Sequence, residues 1–123
     1  MEFIMRLVYV IIIFSSVFAS TIGLAQNVKI TGLGASKCEK YIDDTNANEN
    51  AEKTYFAWAQ GFMNGALVRA PAGVDDNLDL LPPNFPVAAQ MSYLKNWCGR
   101  NRDADFSDAS FALFKELRGK LPK

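Results

Sequence analysis

The chain has 123 residues, with 13 lysines and arginines against 13 aspartates and glutamates, no histidine and two cysteines, and half of its residues are apolar. This apolar content excludes an intrinsically disordered chain, and the zero formal charge argues against a nucleic-acid-binding protein, whose surface is basic. The lack of histidine excludes catalysis by Ser-His-Asp or Cys-His groups and almost every metal site that uses histidine.

Residues 1–25 have the pattern of a secretory signal peptide. Arg6 precedes a short apolar stretch, and small residues lead up to Ala25, where a signal peptidase would cleave. The apolar stretch is short for a membrane span, although an uncleaved anchor is an alternative, and Met5 is an alternative start. We therefore predict a periplasmic protein, with an extracellular location less favoured. Its mature chain would be a single domain, residues 26–123, with no membrane association after cleavage.

Cys38 and Cys98 both lie in the predicted mature chain. An exported chain meets an oxidising environment, so we predict that they form a disulfide. A redox or nucleophilic cysteine is the alternative, but the chain has no CxxC motif and no histidine to activate a thiolate. We therefore predict a structural bond, and for the whole chain no catalytic residue, no cofactor and no metal.

Apolar residues recur at helical spacing through most of the mature chain, and no alternating run of strand length is present. The pattern Ser36-Lys37-Cys38-Glu39 has the form of a capping box and predicts a short first helix through Ile42. The polar run 43–50 predicts a loop or a helix entry. The longest and central helix is predicted from Ala51 to about Val68.

The central helix carries a stripe of small residues, Ala57, Gly61 and Gly65. Glycine inside a helix costs about 1 kcal/mol against alanine, so two glycines need a reason. The first reason is close approach of another helix, and the alternative is a shallow groove that accepts a partner's side chain. Together with the neighbouring Trp58 and Phe62, these glycines form the predicted protein-binding or packing stripe Trp58, Gly61, Phe62 and Gly65.

Prolines and a glycine bracket the next connection, which also carries an acidic cluster. Asp75, Asn77 and Asp79 match the first three ligand positions of an EF-hand loop. Leu80 and Pro86, however, stand where the motif requires glycine and glutamate. We therefore predict a solvated turn without a metal.

Two further helices follow. Pro86 suits the first turn of the third helix, which Gly99 is predicted to end. Ser107 is predicted to cap the last helix, and Gly119 to end it. Phe106 is predicted to pack on Phe111 as a hydrophobic staple. The fold class is therefore all-α, a small bundle of three to four helices with one disulfide and a core at about residues 36–120.

The mature chain holds many aromatic residues for so small a core. Most such residues belong in the core, yet a domain of this size can hardly bury all of them, which indicates an apolar patch for a partner. The residues concerned are Phe56, Trp58, Phe62, Tyr93, Trp97, Phe106, Phe111 and Phe114.

The segment Cys38-Glu39-Lys40-Tyr41-Ile42, the pair Gly61-Phe62 and the stretch from Cys98 to Asp108 resemble the periplasmic acid-stress chaperone family called HdeA. The resemblance covers about residues 36–120 and implies a non-enzymatic holdase that binds unfolded clients. It also implies a single disulfide that joins the first helix to a later one. The interval between the cysteines looks longer here than in that family, so whether the chain forms a homodimer stays open.

The chain is also similar to exported immunity proteins of the Tai type, which block amidase toxins delivered by type VI secretion. Those proteins share a signal peptide, a helical fold and an aromatic-rich helix with a pair like Gly61-Phe62. This resemblance implies a protein that plugs the cleft of one enzyme. We therefore expect a protein-binding domain, with holdase activity first and toxin neutralisation second. An enzyme comes third, because the carboxylates form no recognisable acid/base pair.

Charge decides how such a domain would respond to acid. Without histidine it has no switch between about pH 5 and 7, so its carboxylates must act instead. Removing Glu2 and Arg6 with the signal peptide leaves 12 acids and 12 bases. Below about pH 3 these acids would be mostly protonated while the bases stay charged. The resulting self-repulsion would loosen a small core that the disulfide keeps compact, which permits the holdase function without selecting it.

Overall fold

The computed structural model describes residues 28–121, which form one 3-10 turn and four α-helices. The turn spans Gly32–Ala35, and the helices are α1 (Cys38–Ala47), α2 (Glu49–Arg69), α3 (Val87–Arg100) and α4 (Phe106–Arg118). No strand is formed within this part of the chain, and the predicted all-α fold is confirmed. The predicted signal peptide lies outside the described residues.

The disulfide prediction is confirmed. Cys38, the first residue of α1, is bonded to Cys98 near the end of α3, with their Cα atoms 4.9 Å apart. Both side chains are fully buried. The bond therefore ties α1 to α3 across 60 residues of sequence.

The predicted capping box at the start of α1 is wrong. Lys37 is the N-cap residue, and no side chain caps this helix. Instead, the backbone N–H groups of Cys38 and Glu39 donate to the carbonyls of Ala104 and Arg102, at 2.8 and 3.1 Å. The Ser36 carbonyl in turn accepts the Phe106 N–H at 2.8 Å. Two orphan donors of α1 and the first donor of α4 are thus satisfied by backbone from a distant segment, so α1 needs no capping hydroxyl.

The polar run 43–50 is not a loop, because it is helical on both sides of Asn48. Helix α1 continues to Ala47, and α2 begins at Glu49. Asn48 separates them with extended backbone, and its side chain accepts the Asn50 N–H at 2.9 Å. Glu49 and Glu52 in the first turn and Arg69 in the last match the helix dipole.

Three predictions at the ends of α3 and α4 are also wrong. Gly99 lies inside α3, which ends one residue later, and the Asn101 side chain bonds the Trp97 carbonyl at 2.8 Å. Helix α4 is capped by Asp105, whose side chain forms a capping box with Asp108, and not by Ser107. Because Phe106 is already the first residue of α4 and is fully buried, it cannot staple to Phe111, which is 44% exposed. The predicted end of α4 at Gly119 is confirmed.

Three aromatic rings form the centre of the core. Phe106 lies 4.7 Å from Tyr41 and 4.9 Å from Tyr55, centroid to centroid, and the two tyrosine rings are 5.0 Å apart. None of the three residues is more than 2% exposed to solvent. They come from α1, α2 and α4, so one cluster holds three helices together.

The connection between α2 and α3, residues 70–86, has no helix or strand but is not a loose turn. Leu78 is buried, and Leu80 and Phe85 are packed against the core. The Asp75 carboxylate accepts two hydrogen bonds from Arg118, at 2.8 and 2.6 Å. The predicted acidic cluster is therefore partly engaged in holding the connection against α4. We call this segment the α2–α3 connection.

Candidate protein-binding surfaces

The predicted stripe Trp58, Gly61, Phe62 and Gly65 lies on one face of α2 and splits into two parts. Trp58 and Phe62 are half-buried and stack on each other, with ring centroids 5.4 Å apart and planes at 15°. Gly61 and Gly65 are exposed, and a Cβ atom added at either would meet nothing within 4 Å. The predicted close approach of another helix is therefore wrong for residues 28–121. The glycines leave the outer side of the Trp58–Phe62 pair open to solvent.

Trp58 also packs against the 3-10 turn, Gly32–Ala35. A Cβ atom added at Gly34 would overlap ring atoms Cζ2 and Cη2 of Trp58, and would lie 2.9 Å from Cγ2 of Ile30. Gly32 has a φ of +70°, a conformation that favours glycine. The indole therefore lies against bare backbone, and Phe106 packs on it with centroids 6.1 Å apart. This seat orients Trp58 while leaving it partly exposed. We call Trp58, Gly61, Phe62 and Gly65 the α2 surface.

A second aromatic surface lies between α3 and α4. Tyr93, Trp97 and Phe111 line a shallow hollow of about 430 Å³. Phe111 is exposed, Tyr93 and Trp97 are half-buried, and the Tyr93 hydroxyl donates to the Ala112 carbonyl at 3.4 Å. Lys115 lies 4.5 Å above the Phe111 ring. The predicted aromatic patch is thus divided between two faces, while Phe56, Phe106 and Phe114 are buried.

Within residues 28–121, four ion pairs join separate elements of the domain. Lys95 of α3 pairs with Glu52 of α2 at 3.4 Å. Lys37, the residue before α1, pairs with Asp105, the residue before α4, at 2.7 Å. The hydrogen bond to Asp105 raises the pKa of Lys37. The other two pairs hold connections against helices. Arg102, between α3 and α4, pairs with Glu39 of α1 at 3.8 Å, and Asp75, between α2 and α3, pairs with Arg118 of α4 at 2.6 Å.

Asp44 connects the surface of α1 to the aromatic core. Its carboxylate accepts hydrogen bonds from Lys40, at 2.8 and 2.9 Å, and from the Tyr55 hydroxyl at 2.8 Å. These bonds, that from Lys40 foremost, lower the pKa of Asp44. Burial raises the pKa of Tyr55, so this hydroxyl keeps its proton and acts as a donor.

Two anchoring residues of the α2–α3 connection escaped the sequence analysis. Gln90 is fully buried, and its side-chain amide donates to the carbonyls of Leu80 and Phe85, both at 2.9 Å. The signal was a polar residue on the apolar face of a helix, between Val87 and Leu94. Arg118 had no such signal, because its partner Asp75 lies 43 residues away.

Within residues 28–121, no group of three or more histidines, cysteines, aspartates or glutamates is placed to hold a metal ion. None of the helices in the same range is both long and apolar enough to cross a membrane. Comparison of the chain with protein-family models, with curated proteins and with solved structures found no significant match. The likeness to acid-stress chaperones and to immunity proteins therefore stays a prediction.

Proposed function

We propose that this chain is an exported, acid-responsive holdase that binds unfolded proteins in the periplasm and has no catalytic activity. The observation that carries the proposal is that half-buried aromatic side chains lie on two faces of a domain that a buried disulfide ties together. In strong acid a protein loses carboxylate charge while every lysine and arginine stays charged, so the domain gains net positive charge. Each exposed pair contributes only about 0–1 kcal/mol, so the accumulated positive charge is the larger effect.

Loosening of this kind would expose aromatic side chains for binding with only small movements of the helices. Trp58, Phe62, Tyr93 and Trp97 are already half-buried, so small movements expose them. The disulfide keeps α1 and α3 joined and limits the expansion. A domain that is partly opened but still tethered can present aromatic side chains to clients and close again when the pH rises.

The first test measures aggregation of an acid-sensitive client enzyme at about pH 2 and at neutral pH, with and without the oxidised protein purified after export. We expect suppression at low pH only. Suppression at neither pH would refute the holdase proposal.

A pair of glycine variants tests whether the α2 surface makes the contact. Gly61→Arg adds a charged side chain to the α2 surface at a position where an added Cβ meets nothing within 4 Å. Gly99→Arg is the matched control, because Gly99 is also an exposed helical glycine with free space but lies on α3. We expect Gly61→Arg to reduce client protection and Gly99→Arg to leave it intact. Equal effects of both variants would remove the α2 surface from the proposal.

Toxin neutralisation is the second candidate, and the α2–α3 connection favours it. This segment exposes Val74 and Leu81, which are 46% and 51% accessible, on a backbone fixed by prolines, Asp75 and Gln90. A preorganised segment with exposed apolar residues suits insertion into a cleft, because little entropy is lost on binding. Under this alternative, a one-to-one complex with the enzyme encoded by the adjacent gene forms at neutral pH. Leu81→Asp should abolish that complex, and Gly61→Arg should not.

A further inference from the structure

The segment before α1 lies along one edge of the Trp58 indole. A Cβ atom added at Gly32 would lie 3.8 Å from Nε1 of the indole, and one added at Gly34 would overlap Cζ2 and Cη2. These atoms lie on the same edge, which runs from the ring nitrogen along the six-membered ring. Both glycines therefore let bare backbone follow this edge. We call residues 28–35, which include the 3-10 turn, the strap.

Packing alone joins the strap to the helices. Within residues 28–121, no hydrogen bond or ion pair links residues 28–35 to a helix. Leu33 is packed against the core and Ile30 is half-buried, but the other side chains of the strap are exposed. These few apolar contacts have to offset the conformational entropy of ordering the whole segment. The strap is therefore a weakly held part of the domain.

The chain becomes firmly held directly after the strap. The Ser36 carbonyl accepts the Phe106 N–H at 2.8 Å. Cys38 is then bonded to Cys98. Neither bond involves residues 28–35, so the strap can leave the indole by backbone rotation close to Ser36 without disturbing α1. The boundary between a weakly held segment and a covalently fixed one forms a hinge.

Opening at this hinge would change the exposure of Trp58. The Phe62 ring stacks on the indole and would stay there, because both residues belong to α2. Gly61 and Gly65 already leave the outer side of this pair open to solvent. Removal of the strap would add the covered edge of the indole to the accessible part of the α2 surface.

We propose that the strap is a hinged cover that controls access to Trp58, closed in the free protein and open when a client is bound to the α2 surface. The proposal rests on the holdase function and adds its regulation. The open form is a minor state of the free protein, at about 0.1–10%, and a client that contacts the indole selects it. Lys29 is the only charged residue of the strap and stays charged in acid, so the strap itself contains no acid-sensitive group.

Hydrogen exchange on the oxidised full-length protein at neutral pH tests the hinge. An isolated 3-10 turn is not stable in water, so its amides, and the Ser36 N–H that donates to the Leu33 carbonyl at 3.1 Å, exchange when the strap opens. Gly32→Ala strains the closed strap at a φ of +70°, and Gly34→Ala places a methyl group on the indole. We expect each to speed exchange in the strap about tenfold, with exchange in the four helices unchanged.

Gly73→Ala is the matched control for strain. Gly73 has a φ of +82° and free space around an added Cβ, but it lies in the α2–α3 connection. We expect exchange in the strap to stay at the wild-type rate in this variant. Equal acceleration by Gly73→Ala and Gly32→Ala would overturn the hinge, because the strap would then respond to any loss of stability.

Other outcomes also decide the hinge. Unchanged exchange in the strap of both strap variants would overturn it, as would exchange that rises equally in the four helices. A changed Trp58 fluorescence in Gly34→Ala without faster exchange would show that the ring moves instead of the strap, and would overturn it too. If the variants do not fold, wild-type exchange in urea decides, because strap amides must show a weaker urea dependence than helix amides.

Client protection separates the strap from the holdase function. If the strap controls access, both strap variants should protect an acid-sensitive client enzyme at about pH 2 at up to about tenfold lower concentration than Gly73→Ala, because apparent affinity follows the open fraction. Faster exchange with unchanged client protection would overturn this control of the α2 surface. Faster exchange without client protection by any variant at any pH would keep the hinge and refute the holdase.

Discussion

Three glycine-to-alanine substitutions should change stability in opposite directions, although the sequence makes them look alike. At Gly34 the new methyl group would overlap the Trp58 ring and approach Ile30. Trp58 cannot move away easily, because Phe62 stacks on it and Phe106 packs against it. Overpacking of this kind costs about 1–3 kcal/mol. For a domain of this size we expect a fall in melting temperature of about 4–8 °C per kcal/mol.

At Gly61 and Gly65 the expected change in stability has the opposite sign. Both glycines lie inside α2 and are exposed, and an added Cβ meets nothing within 4 Å. Alanine should therefore stabilise the protein by about 1 kcal/mol at each position, through its higher helix propensity. The two effects are expected to add approximately, since neither methyl group has a packing partner.

The measurement is thermal and urea unfolding of the three single variants, followed by circular dichroism at neutral pH. Trp58 fluorescence, recorded in a Trp97→Phe background, reports whether its ring has moved in Gly34→Ala. A neutral Gly34→Ala would show that the indole does not lie on the 3-10 turn. Destabilisation by Gly61→Ala or Gly65→Ala would show that another surface packs on this stripe, such as a second copy of the chain, and would refute the reasoning.

Three further predictions concern the disulfide, the acid response and the connection. Replacing Cys38 and Cys98 together by serine should lower the free energy of unfolding by about 4 kcal/mol, measured in urea, since the bond closes a loop of 60 residues. The pKa of Asp44 is lower in the folded state than its ordinary value of 3.8, so its stabilising effect is complete above about pH 4 and is lost as the pH falls through the lowered pKa. Asp44→Asn should therefore flatten the acid limb of the stability curve, and the exposed Asp43→Asn should not. Gln90→Leu should cost about 1–3 kcal/mol in thermal unfolding, because it leaves two carbonyls of the connection without a donor.

The helices could be predicted from the sequence because each buries one apolar face, and that face repeats at helical spacing. Their starts could not, and Ser36 and Ser107 show why. Both have the side chain that usually caps a helix, yet α1 takes its hydrogen bonds from residues 102 and 104, and α4 uses Asp105. A local pattern contains no information about backbone that arrives from more than 60 residues away.

The candidate surface shows the same limit. The spacing of Trp58, Gly61, Phe62 and Gly65 correctly places them on one helix face, but spacing does not say whether that face meets a helix or solvent. Gly34 gave no signal at all, and yet it is the glycine whose missing side chain matters most for packing. Which glycine is required depends on tertiary contacts, and these become visible only when the turn is placed against Trp58.

The position of the disulfide restricts where the proposed acid opening can occur. The bond joins α1 to α3, and the backbone hydrogen bonds of Cys38 and Glu39 attach the start of α1 to the segment before α4. Separation at these places is opposed by a covalent link or by bonds that do not titrate. The α2–α3 connection is held by the Asp75–Arg118 ion pair, by the Gln90 amide and by the packing of Leu78, Leu80 and Phe85. If acid opens this domain, the boundary between the α2–α3 connection and α4 is therefore the place to look first, because within residues 28–121 neither a disulfide nor a backbone hydrogen bond spans it.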